Sequence, residues 1–126
     1  AGTLTVAELP TAWARAMGEA LDLTPSDDRD GCMQDIHWFA GEFGYFPTYT
    51  LGALAAAQLF AAAKRADAEI PAAISKGSFA PLLRWLRDNV HGHGARYSRD
   101  ELLARASGRP LEATAFKNHL QMRYLG

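Results

Sequence analysis

The residues in this chain with the most chemistry to offer are His37, Tyr45 and Tyr49, at intervals of eight and twelve along one aromatic run. An imidazole N–H or a phenol hydroxyl can donate a hydrogen bond to an oxygen that becomes negatively charged during acyl transfer. Removing one such donor typically costs about 2.7 to 4 kcal/mol of transition-state stabilisation. Gly41, Gly44 and Pro47 lie between the three and allow the chain to double back, so that all three rings can face one cleft. Gln34, Asp35 and Trp38 flank His37. Gln34 and Asp35 are expected to orient that imidazole or to satisfy backbone groups near the glycine breaks, and Trp38 to pack beside it.

These residues fall in one stretch, Gly31 to Gly52, which holds the single Cys, one of four His, one of three Trp, two of four Tyr and three of six Phe. A surface loop would be poorer in aromatics, and a core helix would not place Gln34, Asp35 and His37 together. The stretch therefore reads as the wall of a site. Trp38, Phe39, Phe43 and Phe46 are read as core or as the lining of an apolar pocket.

The rest of the chain must position that wall. Its 126 residues, 48% of them hydrophobic, suffice for one domain with one core. Pro10 to Leu23 carries Trp13, Met17, Ala20 and Leu21 at helical spacing, and the turn-rich TPSDDRDG closes that helix. Cys32 to Phe39 is expected to form about two helical turns before Gly41 and Gly44 interrupt. From Pro47 a long Ala-rich helix runs to about Ala66, with Lys64 and Arg65 suited to its last turn. It is placed in the middle of a bundle, with Leu51, Leu54, Leu59 and Phe60 filling the larger gaps.

A brief helix from Ile70 stops at Gly77, and Ser78 is expected to begin another, to about Val90, with Phe79, Leu82, Leu83, Trp85 and Leu86 as its apolar face. HGHGARY is a turn. Ser98 and Glu101 form a capping box for a helix ending near Gly108, and a last helix spans about Glu112 to Tyr124. No segment alternates with a period of two long enough for a strand, so the fold class is all-α.

Composition excludes several functions. With 13 basic and 14 acidic residues and no basic cluster, the chain has no nucleic-acid footprint. No apolar run is long enough for a membrane span, and the single Cys32 fits a reducing compartment, so a cytoplasmic setting is expected. Cys32 is read as a buried small hydrophobe, Arg84 and Arg87 as a solvated face, His91 as a helix-end cap, and His91 with His93 as too sparse for a metal site. The acidic loop Asp27 to Asp30 is too irregular to bind calcium.

GCMQDIHW, FGYFPTYTLG and AAQLF together resemble the C-terminal region of the M32 metallocarboxypeptidases, the carboxypeptidase Taq family. Gly31, Gln34, Asp35, His37 and Trp38 fill a Gly-x-x-Gln-Asp-x-His-Trp motif, and Phe43 through Tyr49 fill the aromatic run. His91, Gly94 and Glu101 to Leu103 extend the match, which covers essentially the whole chain. The resemblance implies the C-terminal part of a larger helical gluzincin-type peptidase, one that removes single residues from peptide C-termini. It also implies a divalent metal, zinc or cobalt, in the full-length parent, and a homodimer.

The metal motif of that family, His-Glu-x-x-His, is absent, so no metal is expected to bind this chain and no turnover is expected from it alone. The start, AGTLTVAELP, lacks an initiator Met and is read as a piece of a longer chain, whereas QMRYLG is read as a natural end. Related helical gluzincins pair a His with a Tyr twelve residues on. Resemblance to these implies Tyr49 as the first choice for oxyanion donor, with His37 second and Tyr45 third. A surface that faced the missing part should be apolar, around Trp38, Phe43, Phe46 and the Ala-rich helix, and covered by another copy. The rival reading is a non-catalytic helical module using the aromatic segment as a packing or peptide-binding groove. An upstream His-Glu-x-x-His would favour the enzyme.

Overall fold

Six α-helices joined by 3-10 turns make up the computed structural model, which describes residues 2–126; among the described residues there is no strand. The all-α expectation therefore holds. The chain sorts into two compact units, Ala1–Pro47 and Thr48–Gly126.

In the first unit, a 3-10 turn at Val6–Glu8 leads into α1, Leu9–Leu21. Glu8 turns back on Thr5, accepting from its backbone N–H at 2.9 Å and its hydroxyl at 2.6 Å, and Pro10 follows in the first turn of α1, where its missing N–H has no helical partner to lose. Asp22 ends the helix in the left-handed region, φ 55°, with its N–H on the Gly18 carbonyl. Two further 3-10 turns, Cys32–Gln34 and Ile36–Ala40, stand where a pair of α-helical turns was expected. Asp35 separates them at φ −81°, ψ 85°, because its carboxylate accepts the His37 backbone N–H and so caps the second turn.

The second unit is more regular. Helix α2 runs Pro47–Ala66, with Lys64 and Arg65 in its last turn as expected. What it buries is Gln58, Ala62 and Ala63; Leu51 is exposed, and Leu54, Leu59 and Phe60 are half-buried. Small side chains let neighbouring backbone approach closely, so the alanines, not the leucines, make the tight face. Ile70, fully buried, opens α3, Ile70–Ser75.

Helix α3 closes in a Schellman motif: Gly77 at φ 75° donates to the Ile74 carbonyl and the Ser78 N–H donates to that of Ala73. Ser78 thereby finishes α3 and does not begin the next helix. The N-cap of α4, Ala80–Asn89, is Phe79, with Pro81 in the first turn. Phe79 and Leu83 are exposed, while Leu82, Trp85 and Leu86 are half-buried, a narrower apolar face than expected. A 3-10 turn at His91–His93 follows, in which the His93 ring meets Tyr97 edge-on at 5.4 Å.

The Ser98–Glu101 capping box is present at α5, Arg99–Ser107, which ends at Gly108 with φ 83°. The last helix, α6, spans Thr114–Leu120 and widens into a π turn at Gln121–Leu125. It starts two residues later than expected, after Glu112 has given its N–H to the Gln58 side chain.

Candidate functional site

The site is built on short-range geometry within the first unit. Gly31 enters it because a Cβ there would stand 3.0 Å from the Asp27 carbonyl and 3.2 Å from Pro25 Cβ. Cys32 and Asp35 are buried beside it, the thiol as the small hydrophobe expected. Gly41 at φ 77° takes the chain out of the second 3-10 turn, its N–H on Trp38, while Glu42 donates to the His37 carbonyl. Gly44 at φ 78° turns it again and delivers Tyr45 and Phe46. Both glycines hold conformations a side chain would strain, which is why the loop can fold back on the His37 ring.

His37 is fixed from several sides. Asp35 Oδ1 lies 2.8 Å from its Nδ1 and also accepts its backbone N–H at 3.2 Å. Both side chains are nearly withdrawn from water, at 14% exposure for His37 and 6% for Asp35, so the pair works in a weaker dielectric than a surface pair. The ring lies 4.8 Å from the Tyr45 ring at a 36° tilt and meets Phe46 edge-on at 5.5 Å. Asp35 thus holds both the ring and the backbone of His37. Gln34 donates from Nε2 to the Arg29 carbonyl at 2.6 Å, tying the acidic loop to the motif.

Trp38 lies closer to the reading of core or pocket lining than to that of an exposed patch. Trp13 meets it edge-on at 5.7 Å and Phe43 stacks on it at 6.2 Å, leaving Trp38 half-buried. Phe39 and Phe43, read as core or as the lining of an apolar pocket, are 72% and 76% exposed, and Phe46, like Phe43 also expected in an exposed apolar patch, is exposed too. Apolar surface therefore stands in solvent along this segment.

His37 and Tyr45 are brought together in the first unit. Tyr49 belongs to the second, in the first turn of α2 two residues after Pro47, with its ring 60% exposed. At that position the positive end of the helix dipole favours a developing anion.

In the second unit two buried polar residues, Gln58 and Ser107, were not singled out for a role. Gln58 Nε2 donates to Ser107 Oγ at 2.8 Å and to the carbonyls of Arg109 and Pro110 at 3.1 and 3.0 Å, and its Oε1 accepts from the Glu112 N–H at 3.0 Å. A lone amide on the tight face of an Ala-rich helix was the available signal. Its partners are mainly backbone groups, so it joins segments and does no chemistry.

Comparison with known proteins decides the lineage. The family model described as carboxypeptidase Taq (M32) metallopeptidase matches residues 1–124. The chain belongs to that family. It is 41% identical over 123 residues to thermostable carboxypeptidase 1 of Thermus thermophilus, covering 98% of this chain and 24% of that one. With carboxypeptidase 1 of Bacillus subtilis it shares 36% identity, over 96% of this chain and 24% of the relative. Among solved structures, Trypanosoma cruzi metallocarboxypeptidase 1 matches with a TM-score of 0.90 at 38% identity, over 99% of this chain and 26% of that one. The M32 carboxypeptidase from Deinococcus radiodurans R1 matches at 0.89 and 39%, over 98% and 25%. The chain thus spans about a quarter of the length of its relatives.

The family implies a metal-dependent peptidase. Among the described residues, no three His, Cys, Asp or Glu side chains come together as a metal site would require. The described residues do not fit a metal.

Proposed function

We propose that this chain is the C-terminal part, a single structural region over residues 1–126, of a metal-dependent carboxypeptidase that removes single residues from peptide C-termini. Its own contribution is one wall of the substrate cleft and the donors that stabilise the tetrahedral oxyanion, with Tyr49 first, His37 second and Tyr45 third. Gln34, Asp35 and Trp38 support that wall. The observation that carries this reading is the His37 ring, oriented by a buried carboxylate and laid against Tyr45, inside the motif of a chain matched by the M32 family over residues 1–124.

A donor held in place before the reaction stabilises charge without reorganising, which is what Asp35 supplies to His37. In this reading the divalent metal, zinc or cobalt, is held by parts of the parent outside the matched quarter, and the isolated chain turns over no peptide. The parent is a cytoplasmic homodimer.

The test is a chimaera in which this chain replaces the matching quarter of the Thermus thermophilus relative. Metal-dependent release of C-terminal residues is expected from the chimaera and not from the 126-residue chain. Tyr49→Phe should lower kcat by about 100- to 1,000-fold with KM little changed. Turnover by the isolated chain, or full activity in the Tyr49→Phe chimaera, would overturn the proposal. A folded but inactive chimaera would favour the helical interaction module.

A further inference from the structure

An ionised carboxylate accepts hydrogen bonds and donates none. Asp35 Oδ1 stands 2.8 Å from His37 Nδ1 and also receives the His37 backbone N–H, so one oxygen fixes both the backbone and the ring of the same residue. With both side chains nearly dry, a carboxylate facing a bare nitrogen lone pair would be repelled with little water to screen it. The geometry points to Asp35 as a positioning residue that keeps a proton on His37 Nδ1 in every charge state of the ring, so that His37 donates from Nε2 only as imidazolium.

This inference rests on the reading that His37 faces the reacting carbonyl, and it changes what His37 does there. In the neutral ring, Nε2 carries the lone pair and accepts. Only the charged ring has protons on both nitrogens. A phenol differs, since its neutral form already carries a donor hydrogen. His37 and Tyr49 are therefore not interchangeable donors: the imidazole donates from Nε2 only when charged, the phenol when neutral. Asp35 and Tyr45 are titratable side chains facing the ring within the first unit. Tyr45 touches it by ring contact, whereas Asp35 sets the proton position.

Nitrogen-15 NMR of the imidazoles in the 126-residue chain reads the proton position directly, and it does so without catalysis. In its neutral form the His37 ring is expected to show a protonated Nδ1 and an unprotonated Nε2. The opposite pattern overturns the inference. Asp35→Ala should release the ring towards the Nε2–H form, and retention of Nδ1–H in a folded Asp35→Ala chain would take the pinning away from Asp35. If that variant does not fold, the wild-type spectrum still decides.

In the chimaera, Asp35→Ala should lower kcat about 10- to 100-fold with KM little changed, as loss of a partner that orients a working ligand does. In a Tyr49→Phe chimaera, the residual kcat should fall in step with loss of the NMR signal of the charged His37 ring. A residual rate that does not follow that signal would overturn the charge requirement. An inactive chimaera with the expected NMR pattern would sink the peptidase reading and leave the proton assignment standing.

Discussion

Each half of this molecule is arranged around one buried polar side chain, and the two are used in opposite ways. Asp35 reaches two residues along the chain to an ionisable ring, and its bonds orient a group that can do chemistry. Gln58 reaches 49 to 54 residues along the chain to a hydroxyl and to backbone groups, and its bonds hold segments together. The first sits among 3-10 turns and left-handed glycines, where the backbone follows the side chains. The second sits on a 20-residue helix, where the side chain closes gaps that the backbone leaves. A buried polar group is thus no sign of a site by itself: what it holds decides.

The sharpest way to break that contrast is to exchange the outcomes. In the chimaera, His37→Ala should lower kcat by about 100-fold or more, the loss of one transition-state donor, with a fall in Tm from leaving the buried Asp35 carboxylate without its ring partner. A large fall in Tm with unaltered kcat would make His37 a packing residue and erase the distinction. Gln58→Ala should lower stability alone. It strips partners from the part-buried Pro110 carbonyl and Glu112 N–H, so urea unfolding of the chain should show about 1 to 3 kcal/mol of destabilisation, with kcat of the chimaera unchanged.

Smaller changes sharpen the picture of the regular half. Gly108 caps α5 at φ 83° with no atom within 4 Å of where a Cβ would go, so Gly108→Ala should cost about 1 kcal/mol through backbone strain alone. Urea midpoints would read it. The smallest effect is electrostatic. Ser98 donates its hydroxyl and its backbone N–H to the Glu101 carboxylate, and these bonds hold the Glu101 carboxyl below its ordinary 4.5. A group lowered on folding stabilises fully above its unfolded value, and that contribution is lost as pH falls through the folded value. Backbone amide exchange at the start of α5 should therefore accelerate slightly as pH drops below about 4.5, relative to a Glu101→Gln chain.

Much of the regular half was legible because its signals are local. Pro47, the Lys64–Arg65 pair, the Ser98–Glu101 box, Gly77 and Gly108 each mark a helix end by their own covalent chemistry, and the ends fall where those residues are. Ser78 misled because a serine before an apolar run is a good cap in isolation, yet its N–H was already committed to closing α3. The late start of α6 was hidden for a longer-range reason, since it depends on Glu112 meeting a side chain from α2.

At the aromatic segment, residue types revealed the ingredients and the family motif. Spacing alone did not show that Asp35 would break the helix to reach His37, nor that Trp38 would be taken up by Trp13 and Phe43 while Phe39 and Phe46 stayed in solvent. Which face of a ring is covered depends on partners brought in by turns, and a 3-10 turn has no apolar periodicity strong enough to announce it.

The indole of Trp13 standing edge-on to that of Trp38 at 5.7 Å also makes the molecule a spectroscopic reporter. Two such chromophores at that separation couple their electronic transitions and give a paired circular-dichroism band of opposite signs, which vanishes when they part. Trp85, the third indole, lies on α4 in the other unit. Loss of the couplet therefore registers the melting of the segment around His37 alone, and replacing Trp85 by Phe would leave an optical signal native to that segment, with no label attached.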